Sequence, residues 1–165
     1  MKKPLFFLLI CIVLCGCNKK IKLEINECIG GIYSKESSGG PNNHENIYDI
    51  LGDSGCYLFK EYNDFNGFLN EHDLLLNKKN MSKYSQEFFF DKALIIYFRL
   101  DSSSGYKYIF NLHSEKKILR MEIKIFRDKN KDYMDEEICR IFFIDISKEE
   151  IVNTNEFVVS TSFSK

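Results

Sequence analysis

The sequence predicts a mainly β domain of the α+β class: an antiparallel sheet or sandwich of six to seven strands with one covering helix near residues 64–76. Apolar side chains alternate with charged ones between Leu119 and Ile125, which is typical of a strand with one buried face. Residues Ala93 to Leu100 are nearly all apolar, as in a central strand buried on both faces. Around residues 64–76, apolar residues recur at spacings of three and four, as on one face of a helix.

Further strands are predicted along the chain. Ile21, Leu23 and Ile25 alternate with polar residues directly after the apolar N-terminal segment. Others are expected at residues 57–62, 106–112, 139–146 and 157–161. A run of turn-forming residues from Ser37 to Asn43, with His44 at its edge, predicts an exposed, mobile loop near residues 35–47.

The predicted helix has favourable ends. Asn63 can cap its N-terminus, and Lys78 and Lys79 lie near its negative C-terminal end. Gly67 weakens a helix by up to about 1 kcal/mol relative to Ala, so tertiary packing must stabilise this one. His72 falls on the apolar stripe. We expect it at the margin of the contact between helix and sheet rather than in a catalytic role.

The N-terminal segment predicts where the protein resides. Met1-Lys2-Lys3 is followed by an apolar run from Leu5 to Leu14, which is shorter than the about 20 residues of a membrane-spanning helix. A positive start, an apolar run and a small-residue cleavage point are typical of a signal peptide. Leu14-Cys15-Gly16-Cys17 resembles the lipobox of bacterial lipoproteins. An ordinary secretory signal, with no special role for Cys17, is the alternative.

The lipobox resemblance implies that residues 1–16 are a lipoprotein signal peptide and that Cys17 is the lipidation site. The Cys17 sulfur would carry a diacylglyceride with fatty acyl chains such as palmitate. Two or more chains attach a protein stably to a membrane without spanning it. Residues 17–165 would then be a single extracytoplasmic domain in the bacterial cell envelope. The domain would be anchored to the outer membrane or cell surface and would face the periplasm or the exterior.

The charge of the mature chain bears on its partners. Removal of 16 residues leaves 149 of 165, and Lys2 and Lys3 are the only charged residues lost. The remaining 21 basic and 24 acidic side chains give a net charge of about −3. Such a surface does not favour nucleic acid, so we expect no nucleic-acid partner.

Three cysteines remain after Cys17, namely Cys28, Cys56 and Cys139. Outside the cytoplasm a disulfide can persist, and three thiols allow one internal bridge with three possible pairings. No pair has the spacing of a zinc site, and no histidine lies nearby at ligand spacing. We therefore expect disulfide candidates but no metal site.

The sequence offers little for catalysis. Asp128-Lys129-Asn130-Lys131-Asp132 matches the first liganding positions of an EF-hand loop, but Tyr133 replaces the required Gly and Cys139 the final Glu. A polar hairpin between strands at 118–127 and 139–146 is the favoured explanation of this run, and weak cation binding by the Asp128–Asp132 loop stays open. The serines lie in turns without the GxSxG nucleophile motif. We therefore predict a protein that is not an enzyme, with no catalytic residues and no cofactor.

Ser103-Ser104-Gly105-Tyr106 is the most informative motif in the domain. It follows the apolar strand that ends at Leu100 and opens an aromatic-rich strand. With Phe90-Asp91 upstream and residues 142–148 downstream, it resembles the PrcB-like lipoproteins over about residues 88–148. That family is associated with surface protease complexes. The resemblance implies a non-catalytic binding or accessory subunit that contacts a protein partner, such as a protease, through these four residues.

Two other interpretations of the motif stay open. Its sequence is also similar to the loop of chagasin-type cysteine-protease inhibitors, which inserts into the active-site cleft of the protease. Alternatively, it is an ordinary hairpin turn in which Gly105 adopts a positive φ and Tyr106 packs in the core. The protein would then be a structural lipoprotein of the envelope without a specific protease partner.

Overall fold

The computed structural model describes residues 19–29, 32–34, 50–102, 105–127 and 138–164. The strands are β1 (Lys19–Lys20), β2 (Glu24–Ile29), β3 (Ile32–Ser34), β4 (Ser54–Phe59), β5 (Leu74–Leu76), β6 (Lys92–Asp101), β7 (Tyr106–Glu115), β8 (Ile118–Arg127), β9 (Ile138–Ser147) and β10 (Glu156–Ser164). The helices are α1 (Tyr62–Glu71) and α2 (Lys78–Lys83), with 3-10 turns at Phe88–Phe90 and Lys148–Glu150. The predicted lipobox and the predicted loop near residues 35–47 lie outside the described residues.

Two four-stranded sheets dominate the fold. Sheet A has the order β1-β7-β8-β10, sheet B has the order β2-β9-β6-β4, and β3 and β5 form a small third sheet. β10 runs parallel to β8, whereas the other described pairs are antiparallel. The predicted mainly β, α+β class is therefore confirmed, with a parallel edge strand in sheet A.

The inner faces of sheets A and B enclose an apolar core, here called the inter-sheet core. From β8 it takes every second residue, namely Leu119, Met121, Ile123 and Ile125. These are the residues whose alternation predicted the strand. Sheet B contributes Ile95, Tyr97, Phe142 and Ile144 to the same core. The charged residues between them on β8 point to the outer, exposed face of sheet A.

Sheet B is the central layer because its second face is also covered. Phe65 and Phe68 of α1 pack there with Phe98 and Phe143 of the sheet. Residues Ala93 to Phe98 are all buried, alternately on the two faces. The two-sided burial predicted for this apolar run is confirmed.

The covering helix is shorter than the predicted segment at residues 64–76. It begins at Tyr62 and ends at Glu71, and Leu74–Leu76 form a strand instead. Asp73 adopts a φ of 49°, which the right-handed helix cannot accommodate. Leu74 and Leu76 are buried while Leu75 is exposed, which is the two-residue period of a strand.

The predicted position of His72 agrees with the structure, whereas the predicted N-cap at Asn63 does not. His72 is half-buried after the helix, with its ring 5.0 Å from that of Phe68, at the margin of the packed face as expected. Asn63 is not the N-cap, because that position belongs to Glu61. The backbone N–H of Phe65 donates to the Glu61 carbonyl, so the first turn starts two residues earlier than predicted.

The long strands run between two ends of the sandwich. One end, here called the turn end, carries Asp101 opposite Ile138 in sheet B and Tyr106 opposite Arg127 in sheet A. The other, the β1 end, carries Lys92 opposite Ser147 in sheet B and the β7–β8 hairpin turn in sheet A. β1 pairs with the last residues of β7, beside that hairpin.

Candidate functional site

The predicted binding motif lies at the turn end. β6 belongs to sheet B and β7 to sheet A, so residues 102–105 carry the chain from one sheet to the other. The hairpin interpretation of this motif is therefore wrong, because β6 and β7 do not pair. Gly105 is buried, and the half-buried Tyr106 packs against the inter-sheet core. Ser103 and Ser104 lie outside the described residues.

A second connection crosses between the sheets at the same end. β8 ends at Arg127 in sheet A, and β9 begins at Ile138 in sheet B. The polar hairpin expected between these strands is thus also wrong, because β8 pairs with β7 and β10. The Asp128–Asp132 run belongs to this connection and lies outside the described residues. The two connections leave from neighbouring strand ends.

A buried ionic cluster lies directly beneath the first connection. The Asp101 side chain is 1% exposed, and its Oδ1 lies 3.0 Å from Nε of Arg99. Its Oδ2 lies 3.4 Å from Nε of Arg140 and accepts a hydrogen bond from the Tyr108 hydroxyl. Nη1 of Arg140 reaches outward to Oε1 of Glu27 at 2.6 Å. Two carboxylates, the buried Asp101 and the exposed Glu27, therefore balance two guanidinium groups at the turn end.

Aromatic side chains pack around this cluster. Tyr97, Tyr108 and Phe142 pack ring against ring, with centroids 4.8 to 6.1 Å apart. Burial, followed by the hydrogen bond to Asp101, raises the pKa of Tyr108, and burial raises the pKa of Tyr97 to about 12. Both phenols stay neutral at physiological pH, so Tyr108 acts as a hydrogen-bond donor.

A cleft opens beside the cluster between the edge strands β4 and β10. Its volume is about 390 Å³, and its lining includes Cys56, Tyr97, Arg99 and Phe163. The Arg99 guanidinium lies 4.7 Å from the centre of the Phe163 ring, a cation–π contact that joins the two sheets. The Phe163 ring is nevertheless 61% exposed. The cleft therefore presents an aromatic edge and a cation to solvent at the turn end.

The three cysteines lie on three strands of sheet B. Cys56 is a free thiol on β4 that faces the inter-sheet core, while Cys139 on β9 packs in the core beneath α1. Cys56 and Cys139 therefore lie on opposite faces of sheet B. Cys28 lies on β2, which is at the other edge of the sheet from Cys56. Cys28 and Cys139 are on the neighbouring strands β2 and β9. Cys28 pairs with Ile141, so the two cysteines are not directly opposite each other.

The Cys56 thiol is a poor nucleophile. Burial raises its pKa to about 12, so the thiolate is scarce at neutral pH. Its Sγ lies 3.8 Å from Sδ of Met121 rather than beside a base. Within the described residues, no group of three His, Cys, Asp or Glu side chains could hold a metal ion. Over the same residues, no helix is long and apolar enough to cross a membrane.

Sequence reasoning missed the ionic cluster, although a signal was present. Arg99 interrupts the apolar run of β6, and Arg140 interrupts that of β9. A charged residue inside an otherwise apolar strand needs a partner when it is buried. Which strands would bring those partners together depends on the sheet order, which the pattern along the chain does not contain.

No protein-family model matches the sequence, and neither a curated protein nor a solved structure matches the chain. The geometry of the turn end is therefore the basis for a functional proposal.

Proposed function

We propose that the protein is a lipid-anchored lipoprotein of the bacterial cell envelope that binds another protein through its turn end. It acts as a non-catalytic accessory subunit, and the PrcB-like resemblance favours a surface protease complex as the partner. Cys17 carries the lipid. Residues 103–106 and the neighbouring cleft edge contact the partner.

The position of β1 is the observation that carries this proposal. Lys19 pairs with Ser114 and Lys20 with His113, near the C-terminal end of β7, and Cys17 precedes Lys19 by two residues. Tyr106 begins the same strand at the turn end. Eight residues separate Tyr106 from Ser114, which corresponds to about 26 Å of extended strand. A lipid on Cys17 would therefore hold the turn end away from the membrane, where a partner can reach it.

The packing of the strand residues at the turn end also supports a binding role. The side chains of Tyr97, Asp101 and Tyr108 are held by an ion pair, a hydrogen bond and ring contacts, so they lose little conformational freedom when a partner binds beside them. The neutral phenols and the protonated Cys56 thiol do not supply a base or a nucleophile. The features around the motif therefore favour recognition over chemistry.

A pull-down of the lipidated protein from its native membrane tests the proposal. We expect metabolic labelling with a fatty acid to mark the wild type but not Cys17→Ser, since only this thiol forms the thioether. We expect cross-linking from the turn end to capture a protein partner. Label retained in Cys17→Ser would refute the anchor.

An inhibition assay separates the accessory role from the alternative. A chagasin-type inhibitor would slow a papain-type cysteine protease through the same four residues. We expect the purified domain to leave such a protease active. Stoichiometric inhibition that is lost in Ser103→Arg would favour the inhibitor over the accessory subunit.

A further inference from the structure

The most exposed apolar side chains of the described structure lie at the β1 end. Among the large hydrophobic residues, Phe90 is 73% exposed and Val152 is 72% exposed, more than any of the others. Both sit at the tips of short turns beyond the strand ends. This position is at the opposite end of the sandwich from Gly105 and Tyr106.

Each tip is held by buried neighbours. Phe89 is buried in the core beneath α1, and its 3-10 turn leaves Phe90 pointing outward. Ile151 is buried in the inter-sheet core, and the turn that follows it exposes Val152. The two turns are tied together, because the Lys148 N–H donates to the Asp91 carbonyl at 2.8 Å. Exposure of these side chains is therefore a fixed property of the fold.

The same end receives the N-terminal chain. Cys17 precedes Lys19 by two residues, and two residues span at most about 7 Å. The headgroup layer of a bilayer is about 5–8 Å thick on each side. A lipid on Cys17 would therefore hold the β1 end against the headgroups.

We propose that the β1 end is a membrane-contacting surface in which Phe90 and Val152 enter the interface of the bilayer. This inference rests on the proposed lipid anchor. Transfer of the apolar Phe90 and Val152 side chains from water into the interface is favourable. The long stems of nearby lysines can enter the interface beside them while the charged groups stay in water. The contact fixes the orientation of the domain, with the turn end directed away from the lipid.

The charges at this end indicate which lipid is needed. Lys92 pairs with Glu24 at 3.3 Å, and Lys148 pairs with Glu61 at 2.8 Å, while Lys116 and Lys117 of the β7–β8 hairpin are exposed at the same end. Anionic lipid would add attraction to the hairpin lysines, but the apolar insertion of Phe90 and Val152 does not require it. We expect the contact to form on neutral phosphatidylcholine and to persist at high salt.

A single-tryptophan reporter tests the surface directly, because the chain has no tryptophan. Phe90→Trp is placed in the lipidated full chain and reconstituted in phosphatidylcholine vesicles with brominated acyl chains. We expect its emission to be shifted to the blue and strongly quenched relative to vesicles without bromine. Phe163→Trp, also exposed but at the turn end, is the matched control and should show no quenching.

The outcomes separate this inference from the proposed function. Mass spectrometry first establishes whether Cys17 carries lipid, and a chain without lipid overturns both. If lipid is present but Phe90→Trp is quenched no more than Phe163→Trp, only the membrane-contacting surface is overturned. Equal quenching of both reporters would likewise contradict it, because the domain would then lack the proposed orientation.

Discussion

Arg99 and Arg140 lie directly opposite each other on β6 and β9, and Asp101 lies between their guanidinium groups. Like charges placed opposite each other destabilise a sheet. The single buried carboxylate therefore allows two arginines to occupy the space between the sheets. This cluster closes the inter-sheet core at the turn end and supports the chain that leads into Ser103–Tyr106.

Asp101→Asn should strongly destabilise the domain, because it removes the buried carboxylate that the largely buried Arg140 and the half-buried Arg99 share. We expect the free energy of unfolding to fall by about 3–5 kcal/mol, measured by urea denaturation. Glu27→Gln is the control, since the Glu27 side chain is 45% exposed and its pair with Arg140 should contribute less than about 1 kcal/mol. Equal losses in the two variants would contradict a central role for Asp101.

Gly55→Ala and Gly67→Ala should change stability in opposite directions. A Cβ on Gly55 would lie 2.6 Å from Cε1 of Phe98 in the adjacent strand, so we expect a loss of about 1–3 kcal/mol. A Cβ on Gly67 meets nothing within 4 Å and lies in α1, so we expect a gain of about 0.5–1 kcal/mol. Thermal unfolding of the pair checks the packing of β4 and α1 together. A stable Gly55→Ala variant would show that β4 is not seated on β6 as described.

The Cys56 thiol should resist alkylation in the folded protein. A rise of its pKa from 9.0 to about 12 lowers the thiolate fraction by about a thousandfold. Iodoacetamide at pH 8, followed by peptide-resolved mass spectrometry, should label Cys56 slowly in buffer and rapidly in urea. Rapid labelling without denaturant would contradict the raised pKa of the Cys56 thiol.

Stability should fall at alkaline pH. Cys56 and Tyr97 have pKa values raised to about 12 in the folded chain. As the pH rises, the folded chain therefore keeps protons on these two groups that the unfolded chain has already lost. Their contribution is complete below about pH 9 and is lost as pH approaches 12. For each group, the free energy of unfolding falls by at most about 1.4 kcal/mol per pH unit. Tyr97→Phe should lower the slope measured in urea between pH 9 and 11, and an unchanged slope would be evidence against the raised pKa of Tyr97.

The strands were predictable because their signal is local. Burial of alternate residues in β8, and of every residue along most of β6, follows from the apolar pattern of each segment alone. The segment Leu74–Leu76 was not predictable in this way. Three consecutive leucines satisfy both the helical and the strand period, and the turn at Asp73 decides between them.

The candidate site was only partly predictable, because its geometry is set by contacts between distant residues. The Ser103–Tyr106 motif could be located from its composition, but its crossing from sheet B to sheet A required the strand order. The ionic cluster joins Glu27, Asp101 and Arg140, which are far apart in sequence. Periodicity along the chain carries no information about such contacts.

The central claim is that the turn end binds a protein partner, and a matched pair of serine variants tests it most directly. Ser103→Arg alters the turn, and Ser82→Arg makes the same change at an exposed position on α2, away from the turn end. Each lipidated variant is cross-linked in its native membrane, and the captured partner is quantified against wild type, with the melting temperature measured in parallel. We expect Ser103→Arg to lose at least tenfold in capture at an unchanged melting temperature, and Ser82→Arg to capture at wild-type yield. Wild-type capture by Ser103→Arg would contradict the account, because an arginine at a binding surface of this kind should exclude the partner.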